Sequence, residues 1–415
     1  MHGNSFVPTG AAGRLYSKSR LAMPLAGCLA LNVVLSAVTG TTAQSRLAAL
    51  PLQAPAPPDN PTTPERVALG RALFWDPILS GQKDVACATC HHPDFGYSDG
   101  LDLSIGVNGV GLGAGRSFDA GHPHRLVKRN SQTVLNVAFN GLSAGSGAGP
   151  AEAPMFWDLR TRGLEAQALE PLKALEEMRG DAYGEDRALR EVVARLSAIP
   201  EYQRLFARAF GTSPISEGNL GRALAAFQRT LVASNSPFDR YLRGDSTALT
   251  ADQIRGMERF QSVGCVNCHN GPMFSDFTAH VLAVPDNRKL TAPDTGVSQS
   301  YAFRTPSLRN LSVTAPYMHN GVFATLDQVT DFYERVSGGG RGGRGGAGRG
   351  GRGLNPQVER AQIDPLARQL NMRGRSQRDL IAFLGALNDP EFDRTVPDRV
   401  PSGLAVGGRV IAGGR

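Results

Sequence analysis

Two short motifs carry the most specific chemistry in this chain of 415 residues. Residues 87–91 read CATCH and residues 265–269 read CVNCH, so both have the form C-x-x-C-H. Two thiols at this spacing reach the two vinyl groups of one haem, and the next residue places an imidazole beneath the iron. The sequence therefore predicts two covalent haem c groups, attached and ligated through Cys87, Cys90 and His91 and through Cys265, Cys268 and His269.

A redox dithiol and a zinc site are the alternatives for these motifs. A redox dithiol has no need of a histidine at the same place twice. A zinc ribbon usually separates its two cysteine pairs by about 15–20 residues, far fewer than separate these two. Four of the five cysteines lie in the two motifs, so a disulfide framework is not expected either.

The formal charge of +7 does not indicate a nucleic-acid partner. It comes from two places outside the expected folded body, which is close to neutral without them. The Gly/Arg-rich segment 338–353 lacks the aromatic residues that stack on bases, and we expect a flexible surface insertion. The cations concerned are Arg14, Lys18 and Arg20 near the N-terminus and Arg341, Arg344, Arg349 and Arg352 in the insertion.

Residues 1–43 have the pattern of a secretory signal peptide. A positive region precedes the apolar stretch 21–38, and small residues at 41–43 offer a cleavage site. An uncleaved membrane anchor and a lipid-attached Cys28 are the alternatives. We expect cleavage, a periplasmic protein and no stable membrane insertion.

Helix signals dominate the rest of the chain, and strand signals are sparse. Thr63-Pro64 is typical of a helix start, Thr250 and Gln253 form a capping box, and residues 186–210 have helical spacing of apolar side chains. The glycine-rich stretch 100–128 predicts a long surface loop. The predicted fold class is mainly α, with two cytochrome c-like domains that each carry one haem. The predicted boundaries are 1–43 for the signal peptide, 44–243 for the N-terminal domain, 244–395 for the C-terminal domain and 396–415 for a flexible tail.

From about Pro61 to Pro390 the chain resembles the di-haem cytochrome c peroxidase family, including its MauG-type branch. The resemblance implies two cytochrome c-like domains with a calcium ion between them, a peroxidatic haem in the N-terminal domain and an electron-transfer haem in the C-terminal domain. It rests on segments 69–74, 87–93, 129–131, 156–158, 238–241, 303–310 and 314–319.

The resemblance also implies roles for individual residues near the peroxidatic haem. Glu177 would move a proton between the two oxygens of bound peroxide, with Glu176 as the alternative. Gln167 would hydrogen-bond the ligand and Pro171 would shape the pocket. Trp157 would lie between the haems and shorten the electron path.

The calcium site implied by the resemblance uses Asn130 and the backbone carbonyls of Thr314 and Pro316. Hard oxygen ligands suit this ion. No acidic cluster in the sequence indicates the site independently.

Two candidates compete for the sixth ligand of the second haem. Met318 is one, because methionine is a common ligand of c-type haem. Tyr333 is the other, because it lies fourteen residues after His319, where the peroxidase branch has its methionine and the MauG-type branch has tyrosine. We expect Tyr333.

Many members of the family block the peroxidatic iron with a loop histidine until the other haem is reduced. Val107 occupies the corresponding position here. His122, eight residues before Asn130, could restore the block, with His124 as the alternative. We expect an open iron.

Three functions follow from these features. The first is reduction of hydrogen peroxide with electrons from a small cytochrome c or copper protein. The second is MauG-like oxidation of side chains in a partner protein. The third is plain electron transfer, which would require neither an open iron nor a distal glutamate. The sequence does not name the electron donor, and it leaves a homodimer open.

Overall fold

A computed structural model describes residues 46–144, 147–338, 353–372 and 377–409. These segments are mainly helical, as predicted, with three two-stranded antiparallel sheets. The predicted signal peptide and most of the Gly/Arg-rich insertion lie outside the described residues. The helices are α1 Pro64–Trp75, α2 Cys87–Cys90, α3 Leu164–Gln167, α4 Glu170–Lys173, α5 Ala188–Ser197, α6 Pro200–Phe210, α7 Glu217–Gln228, α8 Pro237–Leu242, α9 Ala251–Val263, α10 Leu326–Val336, α11 Pro365–Arg368 and α12 Gln377–Gly385. The strands are β1 Gly109–Val110, β2 Ser117–Phe118, β3 Pro154–Met155, β4 Thr161–Arg162, β5 Ala279–Val281 and β6 Ala302–Arg304.

The helix pair α1 and α7 forms the centre of the first hydrophobic core. Thr63 caps α1 by accepting a hydrogen bond from the backbone N–H of Arg66, which confirms the predicted helix start. A Cβ at Gly70 would lie 2.0 Å from the carbonyl oxygen of Ala223, so only glycine allows α1 to approach α7 this closely. The buried side chains of this pair include Leu69, Leu73, Phe74, Leu220, Leu224 and Phe227.

The helix pair α9 and α12 repeats this arrangement in the second core. The predicted capping box is present, because Thr250 and Gln253 exchange hydrogen bonds of 2.9 and 3.3 Å. A Cβ at Gly256 would lie 1.9 Å from the carbonyl oxygen of Asp379. In both halves the helix that contains the contact glycine, α1 or α9, precedes a C-x-x-C-H motif along the chain. Four aromatic rings fill this core: Phe238, Phe260, Phe274 and Phe383.

The two ends of the described chain pack against the opposite halves. Leu47 is buried in the second core, whereas Val400 and Val406 are buried in the first. The N–H of Gly407 donates to the carbonyl of Trp75 over 2.9 Å. The prediction of a flexible tail is therefore wrong for residues 396–409. Their composition, rich in valine, glycine and proline, did not indicate that they pack against the core. The remaining residues, 410–415, lie outside the described part.

Two further stretches differ from the sequence-based expectation. The helical stretch 186–210 is broken into α5 and α6, because proline disfavours a helical conformation at Ile199, the residue before Pro200. The glycine-rich stretch 100–128 is not wholly a surface loop. Ile105 and Val107 are buried in it, and β1 pairs with β2 in a short hairpin.

Within the described residues, no helix is both long and apolar enough to cross a membrane.

Candidate functional site

One cavity of about 660 Å³ reaches both C-x-x-C-H motifs. The first motif follows α1 and forms α2, and the second follows α9 directly after its left-handed cap, Gly264. Both cysteines and the histidine of each motif line the cavity. The structure therefore brings together all six residues that the sequence predicts for haem attachment and ligation.

The two motif histidines are oriented in the same way. Nδ1 of His91 lies 3.1 Å from the carbonyl oxygen of Tyr97, and Nδ1 of His269 lies 2.9 Å from that of Phe274. A carbonyl only accepts, so Nδ1 carries the proton in both rings and Nε2 keeps its lone pair for a metal. Burial lowers the pKa of both imidazoles, which keeps them neutral. Two half-buried thiol pairs and two such imidazoles are the donor set that two c-type haems need.

Arg304 supplies a second observation that fits a bound anionic cofactor. It is 5% exposed, lines the cavity and donates from Nε to the carbonyl of Phe156 over 2.8 Å. Within the described residues no carboxylate forms an ion pair with it, and burial lowers its pKa to about 10. A buried cation without a counter-charge is costly. A haem propionate would offset that cost.

The predicted distal residues lie on the first-motif side of the cavity. Gln167 ends α3, Pro171 lies in α4, and Glu177 lies in the short π-helical turn Leu175–Arg179. All three line the cavity, as does Glu176. Burial is the main effect that raises the pKa of Cys87, and the charge of Glu177 also raises it. The carboxyl of Glu177 therefore lies near that motif.

Glu177 is a half-buried carboxyl at the cavity wall. Desolvation raises its pKa to about 7, Arg160 opposes this shift, and Glu176 and Glu170 add to it. A carboxyl that titrates near neutrality can both accept and release a proton at physiological pH. This is the property that the predicted role requires.

Trp157 and three neighbouring side chains form a stack at the cavity. Trp157 is 8% exposed, donates from Nε1 to the carbonyl of Asn130 over 3.1 Å, and meets the ring of His319 edge-on at 6.5 Å. His319 lies flat on Phe303 with ring centroids 3.5 Å apart. The guanidinium of Arg129 lies over the ring of Phe303, 5.7 Å from its centroid. The stack joins four of the sequence segments that carry the resemblance.

Comparisons with known proteins show which family the chain belongs to. A family model described as di-haem cytochrome c peroxidase matches residues 64–247. The methylamine utilization protein MauG of Methylorubrum extorquens is 36% identical over 385 residues, which cover 89% of this chain and 94% of that protein. The chain belongs to the di-haem cytochrome c peroxidase family. The cytochrome-c peroxidase IdrP1 of a Pseudomonas species is 35% identical, covering 88% of this chain and 92% of that protein. A solved MauG-like protein associated with microbial copper homeostasis is 29% identical, covers 82% of this chain and 95% of that one, and superimposes with a TM-score of 0.64.

Family membership has two direct consequences. The relatives named cytochrome c peroxidases are oxidoreductases, and this chain is an enzyme of that class. The family also implies two c-type haems. The relatives include both peroxidases and MauG proteins, so membership does not decide between those two activities.

The residues that the family resemblance assigns to calcium are among those that line the cavity. Asn130, Thr314 and Pro316 all line it. The side-chain amide of Asn130 donates to the carbonyl of Leu101 over 2.7 Å, which leaves its oxygen as the donor atom. Within the described residues, the group of potential His, Cys, Asp or Glu metal ligands is Cys268, Asp276 and His280, which includes none of these three residues. Neutral oxygens would therefore have to supply most of the coordination there.

Tyr333 and Met318 both line the cavity and share one hydrophobic cluster. Tyr333 lies on α10 and also contacts the second core. Burial raises the pKa of its phenol, and the thiols of Cys265 and Cys268 contribute to the shift. The phenol therefore lies near the second motif.

The two loop histidines that could block the first iron lie elsewhere. His122 is exposed, with Nδ1 3.4 Å from a carboxylate oxygen of Asp119. His124 is also exposed and stacks on Phe118 with ring centroids 4.6 Å apart. Neither lines the cavity.

Sequence reasoning missed several residues that position the site. Arg309 and Asp239 form a buried ion pair with two hydrogen bonds of 2.8 and 2.9 Å, which ties the segment 303–310 to α8. Arg129 bridges Asp158 and Asp294, which fixes the segment next to Trp157. Both arginines stood inside the recognised segments, but nothing in a single sequence indicates their partners.

Proposed function

We propose that this enzyme reduces hydrogen peroxide to water with electrons from a small periplasmic redox protein, either a cytochrome c or a copper protein. The observation that carries the proposal is the position of Glu177, a carboxyl with a pKa near 7 at the wall of the cavity beside the first motif. A plain electron carrier has no use for such a group.

Cys87, Cys90 and His91 would hold a haem, and its iron would supply the site for peroxide and the electrons for its reduction. Glu177 takes the proton from the inner peroxide oxygen and returns it to the outer oxygen, which leaves as water. The amide of Gln167 donates a hydrogen bond to the ligand, and Pro171 limits the space around it. One peroxide, two electrons and two protons give two molecules of water.

Electrons from the donor would enter at the second motif and pass Trp157. The indole is held in the stack by its hydrogen bond to the carbonyl of Asn130 and by its contact with His319. A calcium ion held by Asn130, Thr314 and Pro316 would fix the position of Asn130, whose carbonyl accepts the hydrogen bond from Trp157. Export by the signal peptide at 1–43 would place the enzyme in the periplasm with its donor.

A test of the main proposal uses the purified, haem-loaded protein and reduced cytochrome c. We expect oxidation of the cytochrome that depends on added peroxide. Oxidation of the cytochrome without peroxide would contradict a peroxidase. So would the absence of any peroxide-dependent oxidation with each of several donors.

The position of Tyr333 favours a second candidate, MauG-like oxidation of side chains in a partner protein. A phenolate ligand is anionic and hard, so it would favour ferric and higher oxidation states, whereas methionine would favour ferrous iron. A second haem of low potential would share oxidising equivalents readily but accept electrons poorly. Peroxide-dependent modification of a partner protein without oxidation of cytochrome c would support this candidate over the first.

A further inference from the structure

The turn that carries Glu177 is irregular and short. Leu175–Arg179 is a single π-helical turn, closed by hydrogen bonds such as that from the N–H of Gly180 to the carbonyl of Leu175 at 3.1 Å. Such turns are rare and common at functional sites. With so few internal bonds, the turn needs support from neighbouring segments to hold a side chain in one place.

Two glycines from different loops lie in close contact with the backbone of this turn. A Cβ at Gly106 would lie 2.3 Å from the carbonyl oxygens of both Glu176 and Glu177. A Cβ at Gly81 would lie 1.9 Å from the carbonyl oxygen of Arg179, and the N–H of Gly81 donates to the carbonyl of Met178 over 2.8 Å. The turn is therefore held between two loops that approach at backbone distance.

Each of these glycine loops is itself pinned by one arginine. Arg116, 7% exposed, donates to the carbonyls of Ile105 and Gly106 over 2.6 Å each and to that of Gly111 over 3.0 Å. Arg195, on α5, donates to the carbonyls of Ile78 at 3.4 Å, Ser80 at 2.7 Å and Gly81 at 3.0 Å. Guanidinium is suited to this task, because its donors form a rigid fork.

We infer that Arg116 and Arg195 are positioning residues, which clamp the two glycine loops on the turn and so fix Glu177 beside the first haem. Neither guanidinium is among the groups that line the cavity. The inference rests on the proposed function only in giving Glu177 its proton-transfer role. It extends that function to the hairpin β1–β2, because Arg116 directly precedes β2.

Loss of the Arg116 clamp leaves three carbonyls without their donor, and the loop should move away to hydrate them. Water then reaches the turn and reduces the desolvation of Glu177. The charges of Arg160, Glu176 and Glu170 act on Glu177, and its own charge acts on the thiols of Cys87 and Cys90. None of them belongs to the clamp, so their effect should persist in the variants.

The test compares Arg116→Met, Arg116→Lys and Arg125→Met in the haem-loaded protein. Arg125 is the matched control, because it lies in the same stretch but forms only a partly exposed ion pair of 2.6 Å with Asp181. Two rates are measured against pH: peroxide turnover, and cyanide binding to the ferric first haem. Binding of cyanide from hydrogen cyanide requires a group that takes its proton, so this rate reports on Glu177 without turnover. Haem content and the melting temperature are recorded for each variant.

We expect both rates to fall about tenfold in Arg116→Met, with kcat affected and KM for peroxide nearly unchanged. The midpoint of both pH profiles should move below the wild-type value. Arg116→Lys should recover part of the loss, and Arg125→Met should match the wild type. Unchanged pH midpoints in a folded, haem-loaded Arg116→Met protein would overturn the inference.

A second variant keeps the inference testable if the Arg116→Met protein does not fold. Gly106→Ala pushes directly on the carbonyls of Glu176 and Glu177 while leaving Arg116 in place. It should lower the cyanide binding rate and shift its pH midpoint, and a wild-type profile would contradict the clamp. If wild-type protein shows no peroxide turnover but the cyanide profiles shift as described, the clamp stands and the peroxidase proposal fails.

Discussion

Replacement of Glu177 by glutamine tests the proposed chemistry most directly. Glutamine keeps the shape of the side chain and its capacity to hydrogen-bond, but it cannot take up and return a proton. General acid–base groups typically contribute about 10²- to 10⁴-fold to a rate. We therefore expect kcat for peroxide to fall at least about 10²-fold in Glu177→Gln, with two haems still present.

The raised pKa of Glu177 sets the pH dependence of the wild type. The group must be ionised to take the first proton, so activity should rise with pH, with its midpoint near pH 7. Between about pH 6 and pH 8 the ionised fraction of such a group rises roughly tenfold. A glutamate with an ordinary pKa near 4.5 would show almost no change over this range.

The same shift predicts the sign of the change in stability. The folded state holds the proton of Glu177 more tightly than the unfolded state, so the wild type loses stability as pH rises from 4.5 to about 7. At 1.36 kcal/mol per pKa unit, this loss is up to about 3 kcal/mol at pH 8. Glutamine does not ionise, so at pH 8 the variant should unfold at the same or a higher denaturant concentration.

The assay is stopped-flow oxidation of reduced cytochrome c across the pH range, with denaturant unfolding of the same samples. Glu176→Gln is the matched control, because it removes a neighbouring carboxylate in the same turn that also lines the cavity. It should retain most of the activity and the pH rise. Full activity in Glu177→Gln, or loss of the pH rise only in Glu176→Gln, would refute the assignment.

Three further predictions concern the haems. Mass spectrometry of the denatured mature protein should show two haem additions, and Cys265→Ala combined with Cys268→Ala should leave one; a single addition in the wild type would contradict the two-motif interpretation. Tyr333→Phe should alter the low-spin EPR signal and raise the potential of the second haem, because an anionic ligand is lost, whereas Met318→Leu should leave both nearly unchanged; the reverse pattern would assign the ligand to Met318. The resting ferric protein should show a high-spin EPR signal that His122→Ala does not change, and a wholly low-spin spectrum that becomes partly high-spin in this variant would instead show a blocked iron.

The sequence predicted the chemistry-bearing residues of the site better than their surroundings. Each C-x-x-C-H motif would bind one cofactor locally, so five residues contain nearly the whole signal. The caps of α1 and α9 are equally local, and both were predicted. Glu177 was indicated only through the family resemblance, because a glutamate beside another glutamate is also typical of a solvated helix face. Its burial depends on the cavity wall, which no local pattern contains.

What the sequence did not predict depends on contacts between distant segments. Val406 is buried only because it reaches the first core from the far end of the chain, and its glycine-rich surroundings are equally typical of a free tail. Arg116 stands in a stretch whose glycines suggest a surface loop, yet its guanidinium is buried against three carbonyls. Carbonyl partners leave no trace in residue identity, because every residue has a backbone carbonyl.

Under the proposed function, the two halves of the site indicate where a division of labour between the haems would originate. The two motif histidines are oriented alike, because Nδ1 of each ring lies 3.1 or 2.9 Å from a backbone carbonyl oxygen. Both imidazoles are neutral, and both thiol pairs are half-buried. The side of each haem that the motif builds is therefore nearly the same. The difference lies in what the cavity presents to the opposite side: a titrating carboxyl, Glu177, beside the first motif and a buried phenol, Tyr333, beside the second. A carboxyl that exchanges protons suits an iron that reacts with peroxide, and a phenol that can ligate suits an iron that only exchanges electrons. The residues that decide peroxidase against side-chain oxidation should thus be sought outside the two motifs, on the turn Leu175–Arg179 and on α10.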